Sequence, residues 1–449
     1  MIRNIFATAI FAALLIGCND SNDSNTPPTP IAPSNKAEYN IFVSHTSTYP
    51  RSVITGLIAA ESSNKNDIFD LYYWKGTEKQ IADNVFVRGS VPLVSEGSRS
   101  DCYDGCGPET PKEPQELEAI SKIVMAVPDG MPVNLVIEET FIRRSTELMT
   151  SDALARVNSI TVVLEGSGSI VPNNRLDRVL ELADQANAHG VKTFKVQIFD
   201  TMNLDVLAQD HDQWNKIIND QYITLLPVSF SKLGKQISDG YETNVLGKII
   251  KTFGFDLKTA FTKSPKYDEN KKLLVFFGSS RNSTVNSSET RKGGDYNNMM
   301  LIDSYLKKSE ITDKYNIAIK PHPKLAWINT YISESGIDAS YFSSMPYELL
   351  VIAGGKNIDG FSVPVIDRVD STYSTILFSV DVNKIHSIID YSPYTGFTSE
   401  KDSIEFMKKN YNLGDGWGIN SYEDYASTLK YQLSAPHVEV TNVEAFVNN

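Results

Sequence analysis

Short apolar runs alternate with helix-like patterns along most of this chain, and that alternation restricts its fold more than any other feature of the sequence. In the first half we predict strands at Tyr39 to Ser44, Ile68 to Trp74, Val133 to Glu138, Ile160 to Leu164 and Thr193 to Phe199. Before the last of these, apolar residues between 176 and 183 recur at helical spacing. Asn173 or Asn174 is placed to cap that helix, and Gly190 to end it. Strands alternating with helices predict a parallel sheet with crossover helices.

A second alternation of the same kind follows a helix predicted from Asn244 to Phe261 and a linker from Ser264 to Asn270. The predicted strands are Leu273 to Phe277, Tyr315 to Ile319 and Ile385 to Asp390, and the predicted helices are Tyr296 to Lys308, Tyr347 to Ala353, Ser399 to Tyr411 and Tyr422 to Leu433. A further helix is expected to start near Ser374. The second half therefore predicts another parallel sheet.

The length of 449 residues suits two such units better than one. We predict an α/β protein with two Rossmann-like domains, 38–265 and 266–435, that face a central cleft, with the last helix able to pack back on the first domain. Ligands bind such sheets at the carboxyl ends of the strands, so the cleft is the expected site. The GT-B architecture of glycosyltransferases has two domains of this kind, and so do periplasmic binding proteins.

The N-terminus has the features of an export signal. Arg3 precedes an apolar run that is too short to span a membrane, and Leu15-Ile16-Gly17-Cys18 resembles a bacterial lipobox. This resemblance implies a signal peptide over 1–18, lipidation of Cys18, and export to a bacterial membrane, with Asn19 favouring the outer one. A plain secretory signal is the alternative. Residues 19–37 are rich in Asn, Ser, Thr and Pro and are expected to form a disordered tether.

The composition is that of a globular protein, with 41% hydrophobic and 22% charged residues. A formal net charge of −13 gives no general attraction to nucleic acid, which makes a nucleic acid partner a poor prediction. Cys102 and Cys106 lie in one loop, where export would allow a disulfide, and free thiols are the alternative. The chain should therefore fold as a globular body with two large cores.

Five short segments resemble, in order, the motifs of the CMP-sialic-acid-dependent sialyltransferases of marine Photobacterium and Vibrio and of Pasteurella. Leu164-Glu165-Gly166-Ser167 resembles a D-D-G-S segment of that family, and Gly278-Ser279-Ser280 after an apolar strand resembles part of F-T-G-T-T. The others are Lys320-Pro321-His322-Pro323 for KGHP, Pro346-Tyr347-Glu348-Leu349-Leu350 for P-F-E-V-L and Ser374-Thr375-Ile376-Leu377-Phe378 for SSLYF. The resemblance covers most of the chain after the tether and implies the GT-B fold.

The resemblance also implies a role for each matched residue. Glu165 follows a strand and would be the general base for the acceptor hydroxyl, and His322 would assist departure of cytidine monophosphate (CMP) by donating to its phosphate. Ser374 and Thr375, at a helix start, would hold phosphate oxygens. Glu348 would bind the ribose hydroxyls. Lys320, Gly278 and Ser279 would complete the nucleotide site. Ordinary structural roles, such as a solvated turn for Glu165 or a simple helix cap for Ser374, are the alternatives.

Several positions depart from the family pattern. Leu164 replaces the first acid, Glu165 replaces an Asp, and Pro321 replaces the Gly of KGHP and removes an N–H. Arg281-Asn282 stands near where relatives have a Trp that stacks on the acceptor sugar. The loop between Glu348 and Ser374 is about nine residues longer than in the family.

The leading hypothesis is an inverting transferase that moves sialic acid, or a related nonulosonic acid, from its CMP ester to a galactose-type hydroxyl. No D-x-D-like acidic motif accompanies these segments, so no metal or other cofactor is expected. The partners would be a nucleotide sugar and a glycan acceptor, with the membrane contacted only through the lipid. The alternatives are a capsule-type or teichoic-type GT-B transferase that uses a CMP- or CDP-activated donor, and a surface lipoprotein that binds glycans without catalysis.

Overall fold

The computed structural model describes the central sheets of both predicted α/β units. The described residues are 37–44, 67–73, 89–92, 116–139, 142, 149–164, 176–229, 247, 250, 255–277, 307–320, 340–341, 347–372, 375–390 and 439–442. Several predicted features lie outside these residues: the signal peptide, the lipidation site Cys18, the tether and the pair Cys102 and Cys106. Among the described residues, no helix is long and apolar enough to cross a membrane.

The first unit is built on a sheet of seven parallel strands. They are β1 (Tyr39–Ser44), β2 (Ile68–Tyr73), β3 (Gly89–Pro92), β4 (Val133–Glu138), β5 (Val157–Val163), β6 (Thr193–Phe199) and β7 (Ile223–Val228). Their spatial order is β3-β2-β1-β4-β5-β6-β7. Apolar side chains of the central strands, such as Ile41, Leu135 and Ile160, are completely buried, which explains why these strands were evident in the sequence.

Described helices connect these strands and cover the sheet. They are α1 (Glu116–Met125), α2 (Ser151–Leu154), α3 (Asp177–Ala188), α4 (Leu204–Asp210) and α5 (Asp212–Asn219). In α3, the buried Val179 and Ala183 confirm the predicted apolar face, and Gly190 follows the helix with φ +78°. The predicted asparagine cap is wrong, because the helix begins after Leu176, which makes no side-chain capping bond.

The second unit is built on a sheet of six parallel strands. They are β8 (Lys272–Phe277), β9 (Tyr315–Lys320), β10 (Ser340–Tyr341), β13 (Ile366–Thr372), β14 (Ile385–Asp390) and β15 (Glu439–Asn442), and a separate hairpin contains β11 (Asn357–Ile358) and β12 (Phe361–Ser362). The order of the sheet is β10-β9-β8-β13-β14-β15. Helix α7 (Ser309–Thr312) precedes β9. Counted from the first strand of each unit, both sheets therefore begin with the Rossmann order 3-2-1-4-5-6.

This shared order gives each sheet a point where the chain switches direction. In the first sheet the switch lies between β1 and β4, and in the second it lies between β8 and β13. Connections leave neighbouring strands in opposite directions there, so a crevice opens beyond their carboxyl ends, where doubly wound sheets bind ligands. Residues at or just after the ends of β4, β8 and β13 are therefore placed to form a site.

The chain between the two sheets differs from the predicted helix, whereas the predicted linker, Ser264 to Asn270, contains neither helix nor strand. Helix α6 (Leu257–Thr262) is separate, because Phe255 and Asp256 before it are not helical and the Asp256 carboxylate accepts a hydrogen bond from the N–H of Thr259. One helix from 244 to 261 is therefore wrong. The ring of Phe261 stacks on that of Phe361 in β12 at 5.7 Å, so α6 packs on the hairpin of the second unit. The domain boundary at 265/266 stays a prediction.

The hairpin itself accounts for part of the long loop between Glu348 and Ser374. Asp359 and Gly360 form its turn with φ of +50° and +80°, the backbone of a tight hairpin turn. Residue 247 lies against it, since a Cβ built on Gly247 would come within 3.3 Å of Ile358 Cγ2. The extra residues therefore pack against the segment that joins the two units.

Candidate functional site

Lys320 ends strand β9 at the carboxyl edge of the second sheet. Its Cα pairs with that of Phe277, the last residue of β8, so Lys320 lies one strand away from the switch point. The side chain is partly exposed at the surface, yet desolvation lowers the pKa of its ammonium to about 8, and the negative charge of Glu348 opposes that change. A lysine close to a buried carboxylate is thus present at the strand end that the sequence indicated.

Glu348 lies in the first turn of helix α8 (Tyr347–Ala353), whose observed bounds match the predicted ones. Only 4% of Glu348 is exposed. The helix is fixed by its buried apolar residues, and the ring of Tyr347 meets that of Phe277 edge to face at 4.7 Å. Burial, and then the charge of Glu348, raise the pKa of the Tyr347 hydroxyl. Burial of Glu348 is not predictable from the sequence, and it distinguishes this residue from an ordinary surface residue of a helix.

Ser379 is a site residue that the motifs did not indicate. Its hydroxyl donates a hydrogen bond of 3.3 Å to Oε1 of Glu348, and both side chains are buried. Ser379 is the last residue of a 3-10 helix, Thr375–Ser379, where the sequence predicted the start of an ordinary helix. The signal that could have identified it is small: a serine that follows the matched Ser-Thr segment by four residues.

The remaining nucleotide-site predictions follow described strands in sequence or open a described 3-10 helix. Gly278 and Ser279 follow the end of β8, and Ser374 follows the end of β13, which are the two strands at the switch point. These three residues lie outside the described part of the chain, as does His322, which follows β9 by two positions. Thr375 opens the 3-10 helix, and only its backbone is described. Their roles stay predictions.

The first unit presents carboxylates at its own switch point. Glu138 ends β4, its Cα pairs with that of Val163 at the end of β5, and both Glu138 and the following Glu139 are completely buried. Leu164, which replaces the first acid of the family motif, is only 2% exposed and belongs to the core. Glu165 comes next and lies outside the described residues. Glu138 and Glu139 could have been identified in the sequence as an acidic pair at the end of a predicted strand.

The chemistry available from the described residues is that of an anion and sugar site. A lysine can contact a phosphate or a base, and a buried carboxylate can accept hydrogen bonds from vicinal hydroxyls. Among the described residues, no group of three or more His, Cys, Asp or Glu could hold a metal ion. Whether the reaction is independent of metal stays a prediction.

Comparison with known proteins identifies the fold. No protein-family model matches the sequence, and no curated protein matches it significantly. The chain is similar in structure to the 2,6-sialyltransferase of Photobacterium sp. JT-ISH-224, solved with CMP and lactose, at 14% identity and a TM-score of 0.56, over 91% of this chain and 78% of that one. It is also similar to the GT-B domain of the sialyltransferase from Photobacterium damselae, at 12% identity and a TM-score of 0.53, over 90% of this chain and 99% of that one. The predicted GT-B fold with two Rossmann-like domains is thereby confirmed.

Proposed function

We propose that this chain is a glycosyltransferase that moves sialic acid, or a related nonulosonic acid, from its CMP ester to a galactose-type hydroxyl. The observation that carries the proposal is the meeting of Lys320 and the buried Glu348 at the carboxyl edge of the second Rossmann unit. Both residues belong to segments that resemble motifs of the sialyltransferase family. The likeness to two sialyltransferases, one of them bound to CMP and lactose, supports the same reaction class.

In the proposed reaction, the acceptor hydroxyl attacks the anomeric carbon of the donor from the face opposite CMP. The bond between that carbon and the phosphate oxygen breaks, and the configuration inverts. Glu165 takes the proton of the attacking hydroxyl as general base, while His322 donates to the departing phosphate. Lys320 and Glu348 bind the nucleotide, and Ser374 and Thr375 bind its phosphate. No step requires a metal or a cofactor.

The direct test uses the purified full-length chain with CMP-sialic acid, with and without lactose, and measures both free CMP and sialylated lactose. Sialylated lactose that depends on the enzyme is the expected product. Release of CMP without that product would indicate a different acceptor. Turnover of a CDP-activated donor in place of CMP-sialic acid would favour the capsule or teichoic class, and binding without turnover would favour a glycan-binding lipoprotein.

The general base is tested by Glu165→Gln. This change keeps the size and hydrogen bonding of the side chain but removes its ability to take a proton, so transfer should fall by about 10²-fold to 10⁴-fold. CMP affinity should change little, because the carboxylate is proposed to lie on the acceptor side. Glu138→Gln is the matched control in the same unit. A loss of that size in Glu138→Gln, together with unchanged transfer in Glu165→Gln, would identify Glu138 and Glu139 as the source of the base.

A further inference from the structure

The proposed nucleotide site contains a hydrogen bond between two buried side chains, those of Ser379 and Glu348. The Ser379 hydroxyl donates to Oε1 of Glu348, and Ser379 follows directly after the matched segment, at the end of the 3-10 helix that Thr375 opens. Residues 348 and 379 are 31 positions apart, so the bond joins helix α8 to the 3-10 helix that follows β13. It is a tertiary contact made at the site.

Both ends of this hydrogen bond are held rigidly. On one side, Tyr347, Leu349 and Leu350 anchor α8 in the core with exposures of 3%, 0% and 1%. On the other side, Leu377 and Val380 flank Ser379 and are each 1% exposed, and the N–H of Val380 donates to the carbonyl of Leu377 at 3.2 Å. A buried side chain with fixed neighbours keeps one rotamer, so the donor and the acceptor meet in a defined geometry.

We propose that Ser379 is a positioning residue that holds the Glu348 carboxylate in the orientation that binds the ribose hydroxyls of the nucleotide. This inference rests on the proposed function and explains how the same site would distinguish a ribonucleotide from a deoxynucleotide. Ser379 acts through Glu348 and has no contact with the nucleotide in this arrangement.

The chemistry of the carboxylate supports this division of roles. An ionised carboxylate accepts about four hydrogen bonds, so the bond from Ser379 leaves it able to serve further donors. A hydroxyl that donates to one oxygen fixes the rotation of the carboxylate plane, and that plane decides whether two vicinal hydroxyls can reach it together. Lys320 lies close enough to Glu348 for the two groups to interact electrostatically, and an ionised carboxylate can only accept hydrogen bonds.

The experiment measures the dissociation constants of CMP and of dideoxy-CMP, which lacks both ribose hydroxyls, for the full-length chain by calorimetry. The wild type should prefer CMP, and Glu348→Gln should reduce that preference strongly. Ser379→Ala should reduce the preference by about 10-fold, the range for losing one hydrogen bond to a charged group. Its affinity for dideoxy-CMP should stay near that of the wild type, since that ligand does not use the oriented carboxylate.

Ser387→Ala is the matched control. Ser387 is 5% exposed, as Ser379 is, and it lies in β14 of the second sheet. The Ser387→Ala variant therefore also loses a buried hydroxyl. Its preference for CMP should equal that of the wild type. Ser379→Cys provides a second variant of nearly the same size, with a weaker donor, and its preference should lie between those of the wild type and Ser379→Ala.

The outcomes separate the inference from the function on which it rests. Equal weakening of both ligands by Ser379→Ala would show a purely structural role and overturn the inference. An unchanged preference in Ser379→Ala and Ser379→Cys, together with a lost preference in Glu348→Gln, would overturn it while leaving the nucleotide site in place. Failure of the wild type to bind CMP would refute the proposed function, and the inference with it.

Discussion

The ion pair inside strand β13 gives a prediction whose size can be worked from burial. Asp370 is 0% exposed in the middle of the second sheet, and its carboxylate accepts from Nε of Arg368 at 2.9 and 3.0 Å and from Nη2 at 2.8 Å. The Arg368 side chain is 23% exposed. If Arg368 were removed, Asp370 would therefore stay away from water, whereas Arg368 could reach water if Asp370 were removed.

Arg368→Met leaves a carboxylate in the core without its guanidinium, and removal of one partner of a buried pair costs about 3–5 kcal/mol. Asp370→Asn keeps the shape and one acceptor, and the guanidinium it leaves can turn toward water. Loss of a charged hydrogen bond then costs about 1.5–3 kcal/mol. We therefore expect Arg368→Met to be the more destabilising change.

Urea denaturation followed by circular dichroism measures both free energies of unfolding. Lys272→Met is the control, because Lys272 pairs with Asp367 at 3.1 Å but is 67% exposed, and such pairs contribute about 1 kcal/mol or less. A larger loss in Asp370→Asn than in Arg368→Met would refute the argument from burial. So would a loss in Arg368→Met that is no larger than that of the surface control.

Two further outcomes are expected from the described contacts. Phe361→Ala removes a side chain that is 9% exposed and packs on Phe261 and Tyr267, so it should cost about 3–5 kcal/mol in urea denaturation, and a loss below 1 kcal/mol would count against the packing of the hairpin. Lys320 has its pKa lowered from 10.5 to about 8, so between these pH values the unfolded chain holds a proton that the folded chain has lost, and stability gains with rising pH. Measured against Lys320→Met, the wild type should gain on the order of 2 to 3 kcal/mol across that window, and a constant difference would show that the ammonium is well solvated.

The parts of the fold that were predictable are those whose strands are buried on both faces. Strands Tyr39–Ser44, Val133–Glu138 and Thr193–Phe199 have the predicted bounds, because apolar residues fill each of them either consecutively or at every second position. The helix Tyr347–Ala353 was equally clear, since six of its seven residues are buried. Local composition is therefore sufficient to predict strands and helices whose residues are mostly buried in the core.

The elements that were missed have a different composition for physical reasons. Strand β13 lies next to β8 in the centre of its sheet, yet it contains Arg368 and Asp370, which neutralise each other within the strand. A segment with two opposite charges is not predicted as a core strand unless it is known that the two side chains pair with each other. Strand β7 contains Pro227 and lies at an edge, where a missing N–H is tolerated. Strands β3 and β15 are four residues long and also lie at edges.

The candidate site also contains residues that the sequence indicates and one that it does not. Lys320 and Glu348 were predictable because motif residues at a strand end and a helix start must converge once the strand order is that of a Rossmann sheet. Ser379 was not, because its role depends on a hydrogen bond between elements 31 residues apart. Motif comparison finds residues that contact a ligand more readily than residues that orient them.

At the proposed acceptor side, a buried leucine stands where the motif that this segment resembles has an acid. Leu164 is 2% exposed and packs in the first core, so an acid at that position would face apolar neighbours and could not easily be ionised. The substitution therefore favours the core, and the general base proposed above is Glu165, one residue beyond it in sequence. Glu138 pairs with Val163 across the sheet, which places a buried carboxylate level with that strand end. If Glu165 is the base, Glu138→Gln should leave the rate of transfer near that of the wild type, and a loss of transfer in Glu138→Gln that exceeds the loss in Glu165→Gln would assign proton transfer to the buried glutamates.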